Sequence, residues 1–313
     1  MATMKAVQFH SYGGPEVLAL EEVPRPQAGP GEVLIRVQAA GLNPLDWKVR
    51  AGHLKAWLQH QLPLIPGWDV SGVIEAVGPD ITAFKTGNEV YGMLDFRRHG
   101  AYAEYVAAGT AHLAPKPASL DHIQAAAVPL AALTAWQALF EVAGLKSGQT
   151  VLIHAAAGGV GHFAVQLARW KGARVIGTAS ASNADFVRDL GAEAVIDYNS
   201  TCFEEEVREV DVVLDLLGGD IQQRSWKVLK KGSILVTTLG ISSPEAPIVY
   251  QVRGEGVSVH PDAGQLTQIA AMIDAGKLKP FIYAVLPLKE AARAHEVSET
   301  GHLRGKIVLT VSA

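Results

Sequence analysis

Short apolar runs with a period of two dominate the first third of the chain. Residues 4–9 (MKAVQF), 18–23 and 32–39 (EVLIRVQA) predict strands with one face buried, and 70–77, 88–93 and 101–106 predict three more. Between them lie clusters that favour turns: Gly13-Gly14-Pro15, the Pro- and Gly-rich stretch 24–31, and PLIPG at 63–67. Asn43-Pro44 opens a short helix with Pro44 near its first position. Residues 48–62 predict a helix or loop over a cleft. Many strands, many turns and little helix mark residues 1–115 as a β-rich unit.

The period changes after Pro115-Lys116-Pro117. Ser119 or Asp121 caps a helix through 125–127, and a longer helix covers 131–141, ending before Gly144. Strands at 151–155, 174–178, 194–196, 212–216 and 233–237 then alternate with helices at about 162–171, 183–190, 203–207 and 220–230. Repeated strand–helix units of this length imply a parallel sheet with right-handed crossovers, and a ligand crevice at the carboxyl ends of its strands. A sixth strand is predicted at 257–259, followed by a helix at 264–275, a strand at 281–286, a helix at 288–297 and a closing strand at 306–311. This tail has no further strand–helix repeat, so it is expected to rejoin the first domain. The predicted division is 1–122 with 263–313 as one domain and 123–262 as the other.

Residues 150–161, TVLIHAAAGGVG, run from a buried strand through a glycine turn into a helix. In that context the pattern A-x-G-x-x-G, from Ala156 through Gly158 to Gly161, is a dinucleotide fingerprint with its first glycine replaced. Ala157, Gly158, Gly159, Val160 and Gly161 are the candidate pyrophosphate-binding residues. Gly158 has no Cβ to obstruct a phosphate, Gly161 lets helix and strand approach, and the helix N-terminus favours an anion.

Composition removes other functions. Of 313 residues, 27 are Lys or Arg and 31 are Asp or Glu, a net charge of -4 that gives no electrostatic case for nucleic acid or an anionic membrane. No stretch approaches the roughly 20 apolar residues of a membrane span, and the N-terminus does not resemble a signal peptide. The one cysteine, Cys202, cannot form an internal disulfide or a Cys-rich zinc site, and no HExxH occurs among the 11 histidines. The plain expectation is a soluble cytoplasmic protein.

Several segments together resemble the zinc-independent medium-chain dehydrogenase/reductase superfamily, specifically its quinone oxidoreductase (zeta-crystallin-like) family. They are AAGLNPLDWKVR (39–50), PLIPGWDVSGVIEAVG (63–78), AYAEYV (101–106), AAAVPLAALTAWQAL (125–139), VLIHAAAGGVG (151–161), LGAEAVIDY (190–198), VLDLLGG (213–219) and GHLRGKIVL (301–309). The resemblance spans nearly the whole chain. It implies an α/β fold in which a GroES-like β-rich catalytic domain is built from both chain ends and a Rossmann doubly wound parallel-sheet domain is inserted. Zinc alcohol dehydrogenases of the wider superfamily carry a cysteine where this chain has Asn43, a His-Glu pair where it has Trp68-Asp69, and a four-cysteine lobe that is missing here. No zinc is therefore expected. Without that Lewis acid, hydride transfer to an already electrophilic carbon, as in a quinone or an α,β-unsaturated carbonyl, is the easier chemistry.

The second strand of the inserted domain ends without the acidic residue that binds the ribose 2′-hydroxyl of NAD. Ser180, Ser182 and Asn183 suit a 2′-phosphate instead, so NADP(H) is the expected cofactor; the alternative is that they only cap a helix. The resemblance adds Thr134 near the nicotinamide ribose, Tyr198 near the adenine ribose, and Leu217-Gly218 and Leu239-Gly240 at strand ends that approach the cofactor. It also implies that Asn43 faces the nicotinamide and substrate, with Asp46, Trp47 and Lys48 close by, while Asn43 as a simple turn cap is the alternative. Trp68 and Asp69 are expected beside the cleft, His154 as structural, and Arg304-Gly305-Lys306 either at the cofactor or as a solvated strand end. No Tyr-x-x-x-Lys pair and no strong general acid is present. The expected activity is NADPH-dependent reduction of quinones or enones. The alternatives are an enoyl-thioester reductase, and a non-catalytic NADPH-binding sensor whose nicotinamide face is blocked by Trp47, Trp57 or Trp68. Family members commonly dimerise through their Rossmann sheets, so a homodimer joined near 257–259 is expected.

Overall fold

Alternating apolar positions at the N-terminus form β1 (Thr3–Gln8), which pairs antiparallel with β2 (Ala19–Pro24) in a two-stranded sheet. The structure, a computed structural model, describes residues 2–311. The chain continues through β3 (Glu32–Leu42), α1 (Pro44–Arg50), β4 (Asp69–Val77), β5 (Glu89–Met93), β6 (Tyr105–Gly109), β7 (Leu113–Pro115) and α2 (His122–Ala126). Asp121, not Ser119, caps α2: its carboxylate accepts the Gln124 N–H at 2.7 Å and the Gln124 side chain accepts from Asp121 N–H in return. Ser119 bonds Asp274 instead. α3 (Pro129–Trp136) then leads into a π-turn over Gln137–Val142.

The chain packs as two units, Met1–Leu133 with His260–Ala313, and Thr134–Val259. The second is a Rossmann unit. It contains β8 (Thr150–Ile153), α4 (Gly161–Trp170), β9 (Arg174–Ala179), α5 (Ala184–Asp189), β10 (Ala194–Asp197), α6 (Phe203–Glu206), β11 (Val210–Asp215), α7 (Gly219–Ser225), β12 (Leu229–Thr237), α8 (Ala246–Tyr250) and β13 (Arg253–Gly256). All neighbours are parallel, in the order β10-β9-β8-β11-β12-β13. The order reverses at β8 and β11, which sets a crevice at their carboxyl ends.

After α9 (Ala263–Asp274), β14 (Ile282–Pro287), α10 (Ala291–Glu299) and β15 (Lys306–Thr310) return to the GroES-like unit. Its sheet runs β14-β15-β3-β4-β5-β7, with β6 also on β3. Phe9, Ile35, Trp68, Ile74 and Tyr102 are wholly buried in its core.

Four predicted elements need correction. The strand expected at 151–155 stops at Ile153, because Ala155 turns into the left-handed region at φ 49°. Residues 101–104 do not form the strand expected there. Ala101 N–H and Tyr102 N–H are taken by Gly67 O and Pro66 O, and regular pairing starts at Tyr105. The helix expected over 220–230 ends at Ser225, and β12 already begins at Leu229. The sixth strand is Arg253–Gly256, not 257–259. It is an edge strand of exposed Arg253, Glu255 and Gly256, so hydrophobic periodicity does not mark it.

Candidate active site

In the Rossmann unit, the fingerprint turn is closed by Gly158 N–H on Ala155 O at 2.9 Å. The buried His162 donates from Nδ1 to Gly158 O at 2.9 Å, fixing the turn from the helix side. The two outer glycines differ. A Cβ on Gly161 would lie 2.1 Å from Ala155 O and 2.8 Å from Ala156 Cα, so this glycine serves the packing of α4 on the turn. A Cβ on Gly158 would meet only Ala155, whose carbonyl oxygen is 3.2 Å away. Ala157 is buried, and Gly159 and Val160 are partly exposed along the same turn.

At the end of β9, Ser180 Oγ lies 3.0 Å from Ser182 Oγ and accepts from Asn183 Nδ2 at 3.1 Å. Neither Ser180 nor Asn183 makes a side-chain cap to the helical turns that follow. Tyr198 is half exposed, and its N–H reaches Ala179 O, joining the ends of β9 and β10. Asp197 at the end of β10 is held by Asn199 and Ser200, and hydrogen bonds from the Asn199 backbone keep its carboxyl below the usual range. Leu217 and Leu239, 48% and 49% exposed, stand on the loops after β11 and β12. Gly218 between them is buried, with φ 71°. Thr134 is buried in α3. His154 is structural: burial pushes its pKa down to about 4, and its ring nitrogens lie 3.1 Å from Thr178 Oγ1 and 2.9 Å from Ser225 Oγ.

In the GroES-like unit, the residues singled out around Asn43 form a buried network. The antiparallel register of β15 on β3 pairs Ile307 with Leu42, which sets Lys306 beside Asn43. The Lys306 ammonium donates to Leu42 O at 2.9 Å, to Asn43 Oδ1, and to Asp69 Oδ2 at 3.4 Å. Asn43 Nδ2 donates to Asp69 Oδ2 at 2.8 Å, and Asp69 Oδ1 accepts the Leu130 N–H at 2.7 Å in the first turn of α3. Lys306 is therefore no solvated strand end; it is 3% exposed. Burial pushes the Asp69 carboxyl up and the Lys306 ammonium down, and their mutual attraction opposes both shifts.

Asn43 sits at the N-cap position of α1, but its side chain turns to Asp69 and Lys306 and does not cap the helix. The cap is reversed: Asp46 Oδ2 accepts the Asn43 N–H at 2.8 Å and the Tyr102 hydroxyl at 3.1 Å. Asp46 Oδ1 is buried without a partner, and burial pushes this carboxyl up to about 7. Trp47 and Lys48 are half-buried on the same helix. Lys48 Nζ lies 5.6 Å from the Trp47 ring centre, and burial lowers its pKa. Trp68 is wholly buried in the core of the unit, with its indole N–H on Arg98 O. Sequence reasoning left Lys306 and Tyr102 out of this network because their partners are 263 and 56 residues away.

Two family signatures match the chain: the alcohol dehydrogenase GroES-like domain over residues 29–118 and the zinc-binding dehydrogenase over residues 190–309. A quinone oxidoreductase structure from Coxiella burnetii superposes with a TM-score of 0.92 at 39% identity, covering 99% of this chain and all of that one. The chain belongs to the quinone oxidoreductase family of the medium-chain dehydrogenases/reductases. A 2-methylene-furan-3-one reductase of Solanum lycopersicum is 36% identical over 98% of this chain and 79% of its own length. An NADPH-dependent alkenal/one oxidoreductase of Arabidopsis thaliana chloroplasts is 35% identical over the same shares.

The donor set does not suit the zinc that one signature names. The residues at the ligand positions are an amide and a carboxylate already bound to an internal ammonium. Among the described residues no group of three His, Cys, Asp or Glu is placed to hold a metal. The Rossmann strand ends, in contrast, suit a dinucleotide. Among the described residues, no helix is long and apolar enough to cross a membrane.

Proposed function

We propose that the chain is an NADPH-dependent reductase of quinones and α,β-unsaturated carbonyls. The observation that carries this reading is the Lys306 ammonium bonded to Asn43 and Asp69, the side chains at the positions of the lost metal ligands. With no site for a Lewis acid to acidify an alcohol, an acceptor that is already polarised is the better substrate. Bound NADPH supplies the hydride. The turn 157–161 holds the pyrophosphate, and Ser180, Ser182 and Asn183 donate to the 2′-phosphate, with Tyr198 beside the adenine ribose. Leu217-Gly218, Leu239-Gly240 and Thr134 flank the nicotinamide half. Asn43, Asp46, Trp47 and Lys48 form the acceptor side, with Lys48 as the cation that stabilises an enolate-like product.

The exposed edge of β13, with the exposed Ile248 and Val249 on the preceding α8, supports a homodimer joined through the Rossmann sheets. The lone exposed Cys202 suits a reducing compartment and supports a cytoplasmic location. The test is loss of NADPH or NADH absorbance with 1,4-benzoquinone, 9,10-phenanthrenequinone, an alkenal and an enoyl-CoA. Turnover with NADPH and a quinone or alkenal is expected. Tight NADPH binding without turnover of any acceptor would replace the reductase with a sensor, and turnover of the enoyl-CoA alone would make it a thioester reductase.

A further inference from the structure

Below the two leucine loops lies a buried polar hub that the site assignments above do not use. Asp215, the last residue of β11, is wholly buried. Its Oδ1 accepts the N–H groups of Leu217 at 3.0 Å and Gly218 at 2.8 Å. Its Oδ2 accepts Gln222 Nε2 and Thr237 Oγ1, both at 2.9 Å. Gln222, also wholly buried, uses its whole amide. Nε2 donates a second bond to Gly240 O at 2.9 Å, and Oε1 accepts the Ser242 N–H at 2.9 Å and the Ser242 hydroxyl at 2.8 Å. Thr237 Oγ1 accepts the Leu239 N–H at 3.1 Å. Three side chains from β11, α7 and β12 therefore bond the backbone of both loops at Leu217, Gly218, Leu239, Gly240 and Ser242. The Asp215 carboxylate meets four donors and no cation among these contacts, an arrangement that fixes geometry and does not balance charge.

The loops so held present two exposed leucines at the carboxyl edge of the sheet, side by side: a Cβ on Gly218 would lie 3.0 Å from Leu239 Cδ1. In a doubly wound sheet the strands on either side of the switch point serve the two mononucleotide halves of one ligand. The hydroxyl cluster lies on the β9–β10 side, and the leucine loops on the β11–β12 side.

We propose that Asp215, Gln222 and Thr237 are positioning residues for the nicotinamide half of the dinucleotide. They hold the Leu217 and Leu239 loops as one rigid apolar wall against which that half is placed. This inference rests on the dinucleotide reading of the Rossmann unit. The side chains do not touch the ligand; they act through the loop backbone. Loosening the hub therefore weakens whatever reaches the β11–β12 side and leaves ligands of the β9–β10 side unaffected.

The experiment compares NADPH with adenosine 2′,5′-bisphosphate, which carries only the adenosine half, by calorimetric titration of wild type, Thr237→Val, Thr237→Ser and Gln222→Met. Thr237→Val keeps the shape and β-branching of the residue and removes one donor and one acceptor. The expected result is NADPH affinity reduced about tenfold or more in Thr237→Val and Gln222→Met. Affinity for the bisphosphate should stay within about twofold, and Thr237→Ser should restore the wild-type ratio. Equal losses for both ligands, or no loss for either, would overturn the inference. If Gln222→Met does not fold, the Thr237 pair decides alone. Wild type binding neither ligand is a different failure, that of the dinucleotide reading, and it shows before any variant is examined.

Discussion

Gly158→Ala and Gly161→Ala add the same methyl group three residues apart, and they should fail in opposite ways. At Gly161 the new Cβ would sit 2.1 Å from Ala155 O, 2.8 Å from Ala156 Cα and 2.9 Å from Ala155 C. An unstrained contact is roughly 3.5 Å. All three obstructing atoms are backbone, in a turn already held at a left-handed Ala155, so no flexible side chain can yield. Overpacking of this kind costs about 3 kcal/mol or more, and at roughly 2–4 °C per kcal/mol the melting temperature should fall by about 6–12 °C. At Gly158 the contact is 3.2 Å to one oxygen, an adjustment of a few tenths of an ångström. Melting should change by no more than about 2 °C, helped by the smaller entropy of the unfolded alanine chain. NADPH affinity should nevertheless fall about 30-fold or more, since the methyl occupies the approach of the pyrophosphate. Differential scanning fluorimetry and NADPH titration of the two variants decide the matter. A Gly158→Ala protein that binds NADPH like wild type, or a Gly161→Ala protein that melts like wild type, would refute the reasoning.

Four further outcomes are expected. Lys306→Met strands the buried Asp69 carboxylate and should cost about 3–5 kcal/mol. Adding Asp69→Asn should return part of that in urea denaturation, whereas strictly additive losses would mean that the pair is uncoupled. Ser180→Asp places a carboxylate at the 2′-phosphate position and should move the ratio of kcat/KM for NADPH over NADH toward NADH; an unchanged ratio would put the phosphate elsewhere. His295 is buried, both of its ring nitrogens lack partners, and burial, with Arg50 adding to it, pushes its pKa down to about 3. A folded pKa below the ordinary 6.5 means that the unfolded chain binds the extra proton. The contribution of His295 is therefore complete above about pH 6.5 and is lost as pH falls toward about 3. Asp46 runs the other way, raised from 3.8 to about 7, so its contribution is present below about pH 3.8 and is lost as pH rises through about 7. His295→Phe should flatten the acid limb of a stability–pH curve and Asp46→Asn the neutral one, and unchanged limbs would contradict the burial of these groups.

The strand–turn–helix of residues 150–161, the alternating strands and helices to β12 and the β-rich first third were all legible in the sequence. Each rests on a local period or a glycine that the backbone requires. The edge strand β13 was not legible, because one neighbour and exposed side chains leave no periodic signal. The site divides in the same way. Candidate residues could be named one at a time from short motifs, including Asn43, Asp46, Gly158 and Ser180. Only the folded chain decided that the Asn43 amide is pinned between Asp69 and Lys306 while Asp46 performs the cap, because that choice depends on the register of β15 on β3 across more than 260 residues. The same holds for the hub of Asp215, Gln222 and Thr237. Each is an ordinary polar residue in sequence, and it is the parallel pairing of β11 with β12 that brings their hydrogen-bonding groups to one point. Local pattern is written by neighbours along the chain; which buried donors meet which acceptors is settled by strand pairing and exclusion of water, and no spacing along the sequence encodes it.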